Sequence, residues 1–260
     1  MPSNYAHHRF GQDALALLPQ RQQRAIGRMQ RLYDAGTHGA DIFFYSNPFV
    51  KDDLSALRET CNGLNSPEVI ARWCEALKQH PSEGAQAYLY GLLAYCCLRA
   101  CLMSTLTTSV EGTDIIDREV EFDRYLLTLD GKTPAQTYDL SRSLKVTRGE
   151  CLTMAPFFPP ATPGDIHRCM VNFRLATRFL ARKRRKALSL WLKLTTAQFR
   201  RQQMPEHPNH RCLHLDSALM ESYRKALLLY PVWAQQLEAH LQKSEELAVM
   251  VSPSGINFKK

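Results

Sequence analysis

Along most of the chain, apolar residues recur at the three- and four-residue spacing of an α-helix. Strand signals are negligible, because no hairpin dipeptide stands between alternating apolar and polar runs. The pattern therefore predicts an all-α protein. Helices are expected over residues 13–18, 20–33, 66–79, 83–106, 113–129, 165–203 and 217–246.

The segment 83–106 is apolar nearly all round, which predicts a buried central helix. Its longest apolar run, Leu89 to Leu98, ends at Arg99 and is too short to span a bilayer. The segments 35–47 and 149–163 are rich in glycine or proline and are predicted to be loops.

Length and composition predict one folded domain. The chain has 260 residues, of which 45% are hydrophobic and 22% are charged, as in an ordinary globular protein. We assign residues 1–251 to this domain and 252–260 to a loose tail. The first residues show no apolar stretch behind a positive start. No Cys-x-x-Cys pair occurs among the eight cysteines, which are expected to be reduced thiols, so a cytoplasmic protein is predicted.

The formal net charge of +8 is concentrated in one segment, because no Asp or Glu occurs from Ile166 to Pro205. Such a stripe can hold a phosphate-containing ligand or an anionic membrane surface, and nucleic acid is a less favoured partner. An ordinary solvated helix face is the favoured interpretation of the segment. The anion-binding candidates are Arg178, Arg182, Lys183, Arg184, Arg185 and Lys186.

Three segments carry a resemblance to a known family. They read Ala-His-His-Arg-Phe-Gly at 6–11, His-Gly-Ala-Asp-Ile-Phe-Phe-Tyr at 38–45, and Glu-Val-Glu-Phe-Asp-Arg-Tyr-Leu-Leu at 119–127. In this order and spacing they resemble the bacterial zinc-dependent phospholipase C family, over about the first half of the chain. The resemblance implies a single helical bundle with a central zinc cluster, whose activated water attacks a phosphodiester.

The resemblance also implies which residues stand at the family's zinc-ligand positions. His7, Asp41 and Glu119 retain residue types that bind zinc. The remaining ligand positions are held by residues that do not suit zinc, namely Asn65, Tyr95, Arg99, Met103 and Ile115. The sequence therefore predicts the fold of the family with a largely dismantled metal site, and it assigns no catalytic residue.

Arg99 offers a replacement for the metal charge. A guanidinium is always charged and binds carboxylates through two N–H groups. We expect Arg99 to bridge Asp41 and Glu119, with Tyr95 hydrogen-bonding nearby. The alternative is that Arg99 reaches solvent from the edge of its helix.

The vestigial site is therefore predicted to consist of His7, Asp41, Tyr95, Arg99 and Glu119, with no cofactor. A single zinc ion on His7, Asp41 and Glu119 is the alternative, because three ligands and a water can complete a zinc site. The function expected is that of a catalytically inactive binding protein, with an unidentified ligand or protein partner. The alternatives are a residual metal-dependent phosphodiesterase and binding of nucleic acid or an anionic membrane through the basic segment.

Overall fold

The structure is a computed structural model that describes residues 4–47, 49–50, 52–63, 66–108, 110–181 and 195–243. These residues form helices and no strand, so the all-α prediction is confirmed. The α-helices are α1 (Asn4–Ala16), α2 (Gln20–Arg28), α3 (Gln30–Gly36), α4 (Asp53–Gly63), α5 (Ser66–Gln79), α6 (Glu83–Leu106), α7 (Ile115–Leu129), α8 (Arg148–Met154), α9 (Pro163–Leu180), α10 (Ala197–Arg200) and α11 (Asp216–Lys243). Short 3₁₀ helices cover Gly39–Tyr45, Ala135–Thr137, Ala155–Phe157 and Leu213–Leu215.

Helix α6 is the centre of the fold, and α3 and α11 make its most extensive contacts. It begins after Ser82, whose hydroxyl accepts a hydrogen bond from the Ala85 amide at 3.0 Å and so caps the helix. By length and composition α6 could cross a membrane, but 72% of its most apolar stretch is buried among the other helices. The core helix of a globular protein can be equally long and apolar.

The backbones of α3 and α6 touch at two glycines. A Cβ atom added to Gly91 would lie 2.2 Å from the Tyr33 carbonyl oxygen and 2.9 Å from the Cα of Gly36. A Cβ added to Gly36 would lie 2.5 Å from the carbonyl oxygen of Tyr88. Neither helix has room for a side chain here, so this contact fixes α3, and the 3₁₀ helix that follows it, against α6.

Two segments predicted to be loops contain helices. The segment 35–47 includes the 3₁₀ helix Gly39–Tyr45, and the segment 149–163 includes α8 and the 3₁₀ helix Ala155–Phe157. Helix α8 starts with a capping box in which Thr147 and Glu150 each accept the other's backbone N–H. The prolines of the second segment come after α8 and therefore do not interrupt it.

The N-terminal helix is longer than predicted, and α4 was not predicted. Helix α1 begins at Asn4 rather than near Asp13, because a distant carboxylate holds its first turn, as described below. The helix predicted over 165–203 is observed as α9, which ends at Leu180. Residues 182–194 and the predicted tail 252–260 lie outside the described residues.

The glycine contact makes a testable prediction. The Gly91→Ala substitution should lower the free energy of unfolding by about 2–4 kcal/mol, because the new methyl group meets backbone atoms that cannot move aside. Gly27→Ala is the matched control, since a Cβ at Gly27 meets nothing within 4 Å. The control should raise stability by about 0.5–1 kcal/mol through its helix propensity. Urea unfolding of both variants measures these changes, and equal effects would contradict the close backbone contact.

Candidate functional site

Four helical segments bring the predicted site residues into the interior. His7, Asp41 and Tyr95 are each 3% exposed and Glu119 is fully buried, whereas Arg99 is half-buried. They come from α1, the 3₁₀ helix Gly39–Tyr45, α6 and α7. Together with two residues described below, they form what we call the buried polar cluster. Its members are His7, Asp41, Arg58, Tyr95, Arg99, Glu119 and Asp123.

The Tyr95 ring occupies the space between α1 and the 3₁₀ helix. Its centroid lies 5.0 Å from that of the His7 ring, with the two planes tilted by 30°. On the other side it packs against Gly39, where an added Cβ would lie only 2.3 Å from the ring. Gly39 also has a positive φ of 49°, a conformation that side chains disfavour. A glycine is therefore required both for this turn and for the position of Tyr95.

Arg58, on α4, pairs with Asp41. Its Nε donates to Oδ1 of Asp41 at 2.8 Å, and the two side chains are only 19% and 4% exposed. The guanidinium carbon also lies 5.3 Å from the centre of the Phe44 ring. A partly buried carboxylate thus receives a charged hydrogen bond in a region of low polarity, where such bonds are strong.

Glu119 is the most deeply buried acid of the cluster. Within the described part of the chain, neither of its carboxylate oxygens has a hydrogen-bond partner. Burial raises its pKa well above the ordinary value, and the negative charge of Asp41 raises it further. Burial of Glu119 therefore favours its protonated form.

The predicted bridge by Arg99 is wrong at Glu119, since no hydrogen bond joins the two side chains. The charge of Arg99 nevertheless acts on the cluster from its half-buried position. It favours the ionised form of Glu119 and opposes protonation of His7. Asp41 is the carboxylate that receives a guanidinium, from Arg58.

Asp123 lies one helical turn after Glu119 on α7 and holds the start of α1. Its carboxylate accepts the backbone N–H groups of Tyr5 at 3.0 Å and Ala6 at 2.8 Å. Burial raises the pKa of Asp123 to about 7, against the lowering effect of these hydrogen bonds. This contact satisfies two N–H groups in the first described turn of α1, on which His7 lies.

His7 is kept neutral, because burial and then the charge of Arg99 lower its pKa to about 3. In the described part of the chain, no three His, Cys, Asp or Glu side chains are grouped so that they could hold a metal ion, and this includes His7, Asp41 and Glu119. Met103 and Ile115 pack against the apolar core, and Asn65 lies outside the described residues. The donors present do not fit a zinc cluster, because two guanidinium groups stand beside them.

An open cleft of about 500 Å³ lies beside the cluster, and we call it the Tyr45 cleft. Tyr45 follows Asp41 on the same 3₁₀ helix and separates the two regions. Its ring stacks on Phe173 with centroids 4.1 Å apart, and its hydroxyl donates to Gln202 at 2.8 Å. The cleft is lined by Tyr45, Ser46, Asn47, Phe49, Asn172, Leu175, Ala176, Arg178, Phe179 and Phe199.

Arg178 is the described member of the predicted anion-binding set that lines this cleft. It lies in the last turn of α9, six residues after Asn172, whose amide donates to the backbone carbonyls of Tyr45 and Ser46 at 3.0 and 3.2 Å. The cleft thus joins an apolar lining to one cationic side chain. The other predicted anion-binding residues, Arg182, Lys183, Arg184, Arg185 and Lys186, lie outside the described residues.

No family model, curated protein or solved structure matches the chain. The resemblance to zinc-dependent phospholipase C therefore depends on the three sequence segments alone.

Sequence reasoning missed two residues of the cluster. Asp123 had a usable signal, because it follows Glu119 by four residues and must share a helix face with it. Arg58 had none, since its partner lies on a different helix and no spacing rule connects α4 to the 3₁₀ helix.

Glu119 predicts a specific pH dependence of stability. The pKa of Glu119 is raised in the folded state. Its contribution to the free energy of unfolding is therefore fully present below the unfolded pKa of about 4.3 and is lost as pH rises through the folded pKa. Glu119→Gln cannot ionise and should therefore be the more stable protein near pH 8, by on the order of 1–3 kcal/mol, with little difference near pH 5. Urea unfolding at both pH values measures this.

The control for that experiment is Glu111→Gln, which makes the same change at an exposed position. Its free energy of unfolding should equal that of the parent protein at both pH values. The neighbouring charges of Asp41, Arg58, Arg99 and Asp123 are the same in parent and variant, so they largely cancel in the comparison. A parallel pH profile for Glu119→Gln and the parent would show that Glu119 is ionised in the folded state.

Proposed function

We propose that this protein is a non-catalytic relative of the zinc-dependent phospholipases C that binds an anionic ligand in the Tyr45 cleft. The observation that carries the proposal is the interior ion pair between Arg58 and Asp41, with 2.8 Å between Nε and Oδ1. By the resemblance, Asp41 stands at a zinc-ligand position. The carboxylate that a metal ion would bind is therefore paired with an arginine side chain of the protein.

The chemistry of the neighbouring residues supports the same conclusion. Metal-assisted hydrolysis needs neutral or anionic ligands that converge on a metal ion. The ion then neutralises a phosphate and activates water. Here the charges of Arg58 and Arg99 disfavour a nearby cation, and burial favours the protonated form of Glu119. Tyr95 has a pKa raised well above its ordinary value by burial, so it offers no phenolate ligand.

The binding role is supported by the composition of the cleft. Its volume falls within the range of small-molecule sites, which are mostly apolar with a few placed polar groups. Leu175 and Phe49 expose 59% and 49% of their surface there, and Arg178 supplies the charge. The ligand proposed is a phosphate-containing or other anionic molecule with an apolar body. An anionic membrane surface or a protein partner would meet the same residues, and nucleic acid is less favoured because the lining is largely apolar.

The absence of catalysis is tested on full-length protein purified without a metal-affinity tag. We expect elemental analysis to find well under one zinc ion per chain. We expect no turnover of a chromogenic phosphocholine ester, with or without added zinc, because the cluster lacks converging metal donors. A zinc-dependent phospholipase C serves as the positive control. Stoichiometric zinc with turnover that a chelator abolishes would instead establish a residual phosphodiesterase.

The binding role is tested with anilinonaphthalene sulfonate, a fluorescent anion with an apolar body. Arg178→Gln should weaken its binding several-fold, and added salt should weaken binding to the parent protein, because the attraction is between exposed charges. Arg142→Gln removes one exposed arginine elsewhere and should leave the dissociation constant unchanged. Equal affinities for the parent and Arg178→Gln would contradict binding in the cleft.

A further inference from the structure

A second cavity, of about 860 Å³, lies between α2, the first half of α6 and the last part of α11. We call it the α2 groove. It shares no lining residue with the Tyr45 cleft or with the buried polar cluster. Its lining is mainly polar, with three arginines and four glutamines. The lining residues are Pro19, Gln20, Arg21, Gln22, Arg24, Ala25, Ile26, Arg28, Glu83, Gln86, Ala87, Tyr90, Glu238 and Gln242.

Two of the three arginines are available to a ligand. Arg28 is paired with Glu83 across the rim at 3.2 Å. Arg21 and Arg24 lie three residues apart on one face of α2, are both exposed, and form no ion pair or hydrogen bond within the described residues. Two adjacent guanidinium groups bind a phosphate through several charged hydrogen bonds.

The start of α2 adds to this positive potential. Pro19 precedes the helix and provides no side-chain cap. The first helical N–H groups therefore have no side-chain cap, and Pro19, Gln20 and Arg21 at this end of the helix line the groove. The helix dipole places a partial positive charge at the same end, where it reinforces binding of an anion.

The base of the groove has the opposite character. The carboxylate of Glu238 accepts a hydrogen bond from the Tyr90 hydroxyl at 2.9 Å and another from the side-chain amide of Gln22. That geometry leaves the amide oxygen of Gln22 buried without a hydrogen-bond partner among the described residues. Because this oxygen is closed to solvent, the acceptor that a ligand hydroxyl can reach at the base of the groove is the Glu238 carboxylate. The acidic Glu238 disfavours a ligand that is anionic over its whole length.

We propose that the α2 groove binds a phosphorylated sugar. The phosphate lies against Arg21, Arg24 and the first turn of α2, and the sugar hydroxyls donate to the carboxylate of Glu238, which the Gln22 amide holds in place. This site goes beyond the proposed function and does not depend on it, because it uses neither the cluster nor the cleft. The groove volume lies within the range of small-molecule sites.

Isothermal titration of the full chain tests the proposal. The probes are glucose 6-phosphate, ribose 5-phosphate and fructose 1,6-bisphosphate, compared with glucose and inorganic phosphate. At least one sugar phosphate should bind more tightly than inorganic phosphate. Arg21→Gln with Arg24→Gln should weaken that binding at least about tenfold, because each charged hydrogen bond contributes more than the free energy of a tenfold change.

Two further variants separate the parts of the site. Gln22→Ala should reduce the preference for sugar phosphate over inorganic phosphate and leave the affinity for inorganic phosphate unchanged. The matched control, Arg142→Gln with Arg148→Gln, removes the same charge from exposed positions outside the groove and should bind like the parent. Thermal unfolding of each variant confirms that it is folded.

Four results would overturn the proposal. They are a failure of every sugar phosphate to bind at millimolar concentration, equal binding of inorganic phosphate, unchanged binding by the Arg21 and Arg24 double variant, and stronger binding of a single-stranded oligonucleotide than of any sugar phosphate. None of these results bears on the zinc content or the Tyr45 cleft, so the two proposals fail independently.

Discussion

The contact between the backbones of α3 and α6 is the constraint on which the site depends. Gly36 and Gly91 let the two helices approach until main-chain atoms touch. Because α3 leads directly into the 3₁₀ helix Gly39–Tyr45, this contact also sets where Asp41 lies relative to Tyr95 on α6. A side chain at either glycine would separate the helices, and the polar residues they carry would no longer meet.

The buried polar cluster accommodates its three carboxyl groups in three different ways. Asp41 receives a guanidinium from Arg58, Asp123 accepts backbone N–H groups at the start of α1, and burial favours the protonated form of Glu119. Each arrangement avoids an uncompensated buried charge, which would cost several kcal/mol. These local environments explain how the fold tolerates the three acids.

Exposed arginines line two cavities of the protein. Arg178 faces an apolar cleft, whereas Arg21 and Arg24 face a groove with a hydrogen-bonding base. The two linings select different ligands, since the first buries an apolar body and the second satisfies hydroxyl groups. The sequence drew attention to the first through its run of basic residues. The second was not apparent, because its arginines are interspersed with glutamines.

By itself, the sequence determined α5, α6 and most of α7, together with the burial of α6, because apolar spacing and capping act over a few neighbouring residues. It also singled out His7, Asp41, Tyr95 and Glu119, which the fold brings into its interior. Only the tertiary structure decided that Arg58 pairs with Asp41, that burial raises the pKa of Glu119, and that Asp123 accepts the N–H groups of Tyr5 and Ala6. Those outcomes depend on contacts between residues far apart in the chain and on burial, and neither leaves a periodic signal in the sequence.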